Sequence, residues 1–164
     1  MLNKNRYFFI PYLFFLIAGL IILALFSKSE LHLLINQHYN SFSDGFFKYS
    51  NYLGEGIVVV LAIIGLAFYK FRNALLLLSS IILSSIMAQF FKRIIFHEIP
   101  RPKAHFEGIA TLHFVEGVQV HSLLSFPSGH ATMAFTLFAS LAFMVKNNAV
   151  KMILFFLAII ASWS

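Results

Sequence analysis

Residues Tyr7 to Phe26 form a run of twenty without a single charge. About twenty apolar residues are what an α-helix needs to cross the hydrocarbon of a bilayer. A small water-soluble domain has nowhere to bury such a run. Lys4 and Arg6 precede it. A cleaved secretory leader has a shorter apolar stretch, about 7–15 residues, and ends in a small-residue cleavage site. Ala24-Leu25-Phe26 does not fit that site, so the run reads as a retained span.

The rest of the chain has the same character. It is 60% hydrophobic and 11% charged over 164 residues, against about 25% charged in a typical soluble domain. Disorder and a fibrous repeat are excluded. The absence of cysteine removes a disulfide scaffold, thiol catalysis and thiolate metal sites. Net charge is +6, from 12 Lys and Arg against 6 Asp and Glu. The basic residues fall between apolar runs. Membrane lipids, with their anionic head groups and phosphates, are therefore the expected partners, and nucleic acid is not.

Further spans are expected at about 52–69, 74–91, 128–145 and 149–164, giving an all-α, multi-pass transmembrane helical bundle. Leu31, Leu33, Leu34 and Ile35 among polar residues suggest a short helix on the interface. Phe46, Phe47, Tyr49 and Tyr52 are interfacial aromatics in type. Gly54-Glu55-Gly56 breaks the apolar pattern, and Glu55 lies near a span, where an ionisable group is a functional candidate. Ser79, Ser80, Ser84, Ser85 and Gln89 in the third span suggest close helix packing. A polar loop, 92–130, joins the third and fourth spans. The last span covers roughly 24 Å, short of the ~30 Å core. One membrane-embedded domain over 1–164 is expected, C-terminally incomplete, with five spans begun and a sixth beyond Ser164.

Alternating spans put Lys4, Arg6, Lys70, Arg72, Lys146 and Lys151 on one side and Lys28, Lys48, Lys92, Arg93, Arg101 and Lys103 on the other. Four of the second group cluster between Lys92 and Lys103. If those four serve an anion rather than topology, the remaining bias puts the N-terminus in the cytoplasm. The 92–130 loop then lies on the non-cytoplasmic, periplasmic or extracellular side.

That loop carries the chemistry. Lys92-Arg93 and Arg101-Pro102-Lys103 can clamp a phosphate, Arg through a bidentate fork and Lys as a point charge. Lys92 and Arg93 also suit ordinary anchoring at the interface, which explains Arg101 less well. Phe126-Pro127-Ser128-Gly129-His130 opens a helix, with Pro suited to its first turn and Ser to the cap. Free N–H groups and the positive end of the helix dipole favour an anion there. Gly129 lets an oxyanion approach, and His130 stands in the first turn.

These residues resemble the type 2 phosphatidic acid phosphatase family, which is related to the vanadium haloperoxidases. Pro127-Ser128-Gly129-His130 matches that family's second motif, and Arg101-Pro102 matches the end of its first. Lys92 corresponds to the first-motif lysine, although eight residues separate it from Arg101, more than in the family, and Arg93 is the rival. The third motif, Ser-Arg followed by a His and an Asp, is not matched. Ser164 stands where its first residue is expected. By the resemblance, a His of that third motif attacks phosphorus to form a phosphohistidine, which water hydrolyses. His130 is the general acid. Lys92, Arg101, Ser128 and Gly129 hold the equatorial oxygens, with Pro102 and Pro127 shaping the motifs. The resemblance implies no metal and no cofactor, and implies vanadate as an inhibitor. A chain without the third motif is expected to be inactive.

His97, His105, His113 and His121 share the loop with His130, but no pair has the i, i+4 spacing of a helical zinc site. Glu98, Glu107 and Glu116 read as loop solvation or partners of its basic residues. The function expected is an integral membrane phosphatase acting on a lipid phosphate or diphosphate. Undecaprenyl diphosphate, phosphatidic acid, phosphatidylglycerol phosphate and lipid A phosphates are all candidate substrates. The alternatives are a lipid phosphotransferase and a non-catalytic module that binds anionic lipid. A transporter would call for internal repeats or ionisable residues at midspan, and the sequence has neither.

Overall fold

The computed structural model describes residues 3–114 and 124–163. Glu116, His121 and Ser164 lie outside the described residues. The fold is all-α, with no strand among the described residues. Helix α1 spans Arg6–Leu25 and carries Pro11 internally. A membrane helix tolerates such a proline where neighbours re-satisfy the freed backbone groups. Helix α2 (Lys28–Gln37) opens on a capping box: Ser27 Oγ accepts from Glu30 N, and Glu30 Oε2 accepts from Ser27 N at 2.9 Å. Helix α3 (Ser41–Asn51) starts the same way on Asn40 and Ser43. Both boxes satisfy donors that the first helical turn leaves without partners.

A 3-10 turn at Tyr52–Gly54 leads from α3 to α4 (Gly56–Tyr69), with a bend of 49°. The Gly54-Glu55-Gly56 break thus falls at the hinge between an amphipathic helix and an apolar one. Helix α5 (Phe71–Phe90) follows after the single extended residue Lys70, and continues into a π turn at Phe91–Ile95. Ser79, Ser80 and Ser84 donate to carbonyls of α5 itself. These hydroxyls are satisfied within their own helix, so their small size is what they offer to packing. A one-turn helix, α6, spans Pro102–His105. Helices α7 (Gly129–Met144) and α8 (Asn148–Trp163) complete the fold, with Asn147 Oδ1 capping α8 through Ala149 N at 2.9 Å.

Among the described residues, Arg6–Leu25 and Phe71–Ile95 are long and apolar enough to cross a membrane, and the bent pair Ser41–Gly54 and Gly56–Tyr69 together make a third. The core sits where α7 packs on α8 and α5. Ala134, Leu137, Phe138 and Ala142 of α7 face Leu154, Phe155, Ala158 and Ala161 of α8, with Leu77 of α5 and Phe8 of α1 closing the cluster. Both helices repeat at about every three to four residues, the spacing of one helical face. Alanine at four of those positions lets the backbones come close, as membrane helices do. Lys151, counted above as a flanking charge, is instead 1% exposed, and its Nζ donates to the Lys4 carbonyl.

Candidate active site

The site begins with the cap of α7. Ser128 is extended (φ −70°, ψ 125°), and its Oγ accepts from Ala131 N at 3.3 Å. The hydroxyl proton stays available to an outside acceptor. Behind it, Thr132 Oγ1 donates to the Ser128 carbonyl at 2.8 Å. Gly129 has open space where a side chain would stand, so an anion can approach the first N–H groups of the helix.

His130 is half-buried, and Gly54 explains why. A methyl group built on Gly54 would lie 3.3 Å from His130 Cδ2 and 3.3 Å from the Ala161 carbonyl oxygen. The imidazole therefore rests on a bare backbone, with the last turns of α8 on the other side. Sequence reasoning marked Gly54 as a break in the pattern but missed this role. The contact joins residues 76 positions apart, and glycine spacing alone cannot reveal it.

The first-motif residues come from the end of α5 and the segment after it. Lys92 lies in the π turn and is partly buried. Arg101 stands immediately before α6, with an extended backbone. Arg93 turns elsewhere: its Nε donates to Gln89 Oε1 at 3.1 Å, one turn back along α5. A π turn holds one residue more than an α turn, so part of the long Lys92–Arg101 spacer is taken up there.

Two contacts tie these segments to the α7 cap. Ser125 N donates to the Ile99 carbonyl at 3.1 Å. The rings of Phe96 and Phe126 meet edge to face, 5.0 Å between centroids. Ile99 is two residues before Arg101, and Ser125 three before Ser128, so both motif segments leave one junction.

Two of the loop histidines tie the loop to α2 and α3. His113 Nε2 pairs with Asp44 Oδ2 at 2.9 Å, its ring stacks on Tyr39 at 3.8 Å, and its backbone makes two 2.8 Å bonds with the Asn36 side chain. His105 Nε2 meets Ser29 Oγ at 3.1 Å. His32 stacks on the buried Phe106 ring, and burial holds its pKa below the ordinary value. His97 lies beside Glu98 at 3.5 Å, both exposed. Sequence reasoning saw five imidazoles in or next to one loop. It could not see that the partners of His105 and His113 are Ser29, Asn36 and Asp44, on helices 70 or so positions earlier.

Two hollows meet at this junction. An apolar groove of about 860 Å³ runs between the antiparallel α1 and α7, from Phe9 and Ala139 past Tyr12 and Phe135 to Leu20, Leu23, Phe126 and Ala131. A second cavity, about 510 Å³, lies between α2 and the Ile99–Phe106 segment, and Phe126 lines that one too.

A family model and a solved structure match this chain. The family model described as the PAP2 superfamily matches residues 73–164, a stretch that contains Lys92, Arg101, Ser128, Gly129 and His130. The crystal structure of Aquifex aeolicus LpxE is similar, with 29% sequence identity and a TM-score of 0.65 over 81% of this chain and 79% of that one. No curated protein sequence matches.

Proposed function

Because the chain belongs to the PAP2 superfamily, a family of membrane lipid phosphatases, we propose that it hydrolyses a lipid phosphate or diphosphate through a phosphohistidine. The observation that carries this reading is the junction at Ile99 and Ser125, where the segments bearing Lys92, Arg101 and the Ser128-Gly129-His130 helix start are pinned together.

Lys92 and Arg101 supply positive charge to the equatorial oxygens, and the Ser128 hydroxyl and the Gly129 N–H supply hydrogen bonds. Such preorganised donors act where charge is spread in the transition state. The P–O bond to the lipid breaks as the nucleophile's N–P bond forms. The proton on His130 passes to the departing oxygen. Water then cleaves the N–P bond and releases inorganic phosphate. The nucleophile is a His of the third motif, which residues 1–164 do not supply. The last turns of α8 stand beside His130, with Ala161 on Gly54.

Sidedness belongs to the same proposal, with the N-terminus cytoplasmic and the loop facing out. The chain has no cysteine, so a single Thr111→Cys substitution gives a clean label. Modification of intact cells by an impermeant thiol reagent is expected, and protection until lysis reverses the topology.

The deciding assay is phosphate release by the full-length protein from a lipid monophosphate and a lipid diphosphate in excess chelator. Release is expected, with competitive inhibition by vanadate, which adopts the five-coordinate geometry of the transition state. Activity abolished by the chelator and restored by one divalent metal overturns the mechanism. Transfer of the phosphoryl group to a second lipid without free phosphate makes the protein a phosphotransferase.

A further inference from the structure

The 510 Å³ cavity between α2 and the Ile99–Phe106 segment is not used by the mechanism above. Its α2 wall carries Lys28, Ser29 and His32, and the opposite wall carries His105 and Phe106. The walls are joined by the Ser29–His105 contact at 3.1 Å and by the His32–Phe106 stack, 5.6 Å between centroids and 14° from parallel. The pocket is thus a built feature of the α2 docking. Glu30 is the nearest carboxylate in sequence, and the Ser27 N–H holds it at the helix start. The lining contains no Asp, Glu, Asn or Gln.

That inventory selects a ligand. Lys28 offers three N–H donors and a full positive charge, while Ser29 and the imidazoles offer more hydrogen-bonding groups. Sugar hydroxyls need strong acceptors as well as donors, and the side chains here provide few. A second anionic oxygen group suits the set better. The position selects its place in the substrate. Phe126 lines this cavity and also the apolar α1–α7 groove, and it stands two residues before Ser128. A leaving group that fills this cavity therefore lies beside the scissile phosphorus and continues into an apolar channel.

We infer that the α2 pocket binds a second phosphoryl group on the leaving portion of the lipid substrate, with the lipid tail of the same molecule in the α1–α7 groove. The inference rests on the phosphatase reading and narrows it to lipids with two phosphoryl groups. These come as a diphosphate, or as a head group phosphorylated at a second position. Lys28, Ser29 and His32 all lie outside the 73–164 stretch matched by the family model.

The test uses the full-length enzyme and substrate pairs differing by one phosphate. One pair is a polyprenyl diphosphate and the monophosphate of the same chain. The other is a glycolipid with two phosphates on its head and its singly phosphorylated counterpart. The readout is the ratio of kcat/KM within each pair. Lys28→Met should lower that ratio about tenfold, the usual effect of losing one hydrogen bond to a charged group. Lys28→Arg should restore most of it, and Ser29→Ala should lower it less. The pair whose ratio responds identifies the source of the second phosphate. Unchanged ratios, or parallel losses on both members of each pair, overturn the inference while leaving the phosphatase reading intact. No phosphate release from any of the four substrates fails the phosphatase reading instead. The pocket is then read by binding of the diphosphate lipid and of the doubly phosphorylated glycolipid, and equal affinity of wild type and Lys28→Met for both overturns it.

Discussion

The α7–α8 interface and the α2–loop interface hold together by different physics. In the first, Ala134, Leu137, Ala158 and Ala161 are at most 1% exposed and close packing does the holding. In the second, the contacts are Asn36–His113 and Ser29–His105 from α2, joined by Asp44–His113 from the start of α3, with Phe106 the buried apolar anchor. The candidate site draws on both. His130 stands on the packed side, against Gly54 and α8. Arg101 stands on the clasped side. An acid that donates to one departing oxygen needs fixed geometry, which packing provides. A charge that grips an arriving lipid phosphate can sit on a segment that yields. Partly exposed polar contacts are individually worth little, so that segment is the softer half.

The largest effect belongs to the packed side. His130→Asn in the full-length enzyme should lower kcat by about 10²–10⁴, the usual contribution of general acid catalysis, with little change in thermal stability. Arg101→Ala should cost about 10²–10³ in kcat/KM, as expected for one preorganised charge contact. Arg93→Ala should stay near wild type, because that guanidinium is turned to Gln89. Steady-state kinetics on one lipid phosphate compares all three. Equal losses at Arg93 and Arg101 would erase the assignment of Lys92-side charge to the site.

Gly54→Ala sharpens the comparison. The added methyl would sit 3.3 Å from the His130 ring, tighter than ordinary van der Waals contact. The ring or α8 must shift by a few tenths of an ångström. Misplacement of about 1 Å can cost 10² in rate, so a loss of about tenfold in kcat with KM nearly unchanged is expected. A loss confined to KM would mean that Gly54 shapes substrate entry and does not position the acid.

Local signals in the sequence carried far. The helix start at Gly129, the Ser128 cap and the apolar helices follow from residue type and spacing, because each depends on neighbours within a turn or two. The amphipathic stretch around Leu31–Ile35 falls in α2. What stayed hidden depends on distant partners. Gly54 under His130, Asn36 and Asp44 around His113, and Lys151 buried against Lys4 all join residues more than 60 positions apart. The Lys92–Arg93 ambiguity had a different cause. A π turn shifts which of two adjacent side chains faces the loop, and no periodicity rule anticipates it.

On the clasped side the expected effects are smaller. Asp44→Asn keeps the shape but removes the charge opposite His113, a pair whose side chains are 27–31% exposed. A stability loss of at most about 1 kcal/mol is expected for such a pair. Hydrogen exchange should rise in residues 105–114 and not in α7 or α8. Equal loss of protection in α8 would show that the two interfaces unfold together, and the contrast between them would fail.

The smallest effect is one of pH, and it tests how the clasp responds without any substitution. His32 is stacked on Phe106 outside the spanning helices, and burial lowers its pKa from the ordinary 6.5. Above that value the ring is neutral whether α2 is docked or released, so its contribution to docking is fully present. As pH falls below 6.5 the released, solvated ring takes a proton first, while the docked ring resists it. Docking therefore weakens progressively below 6.5 until the docked ring also protonates. Hydrogen exchange of α2 and residues 102–106 at pH 7.5 and pH 5, corrected for intrinsic rates, should show faster opening at the lower pH. His32→Phe keeps a flat ring against Phe106 and removes the proton, so the difference between the two pH values should shrink. Running both proteins with Asp44→Asn removes the carboxylate facing His113, which isolates the His32 contribution. If the pH difference is unaltered in His32→Phe, docking of α2 does not depend on the charge of that ring, and the softness of the clasp comes from its exposed hydrogen bonds alone.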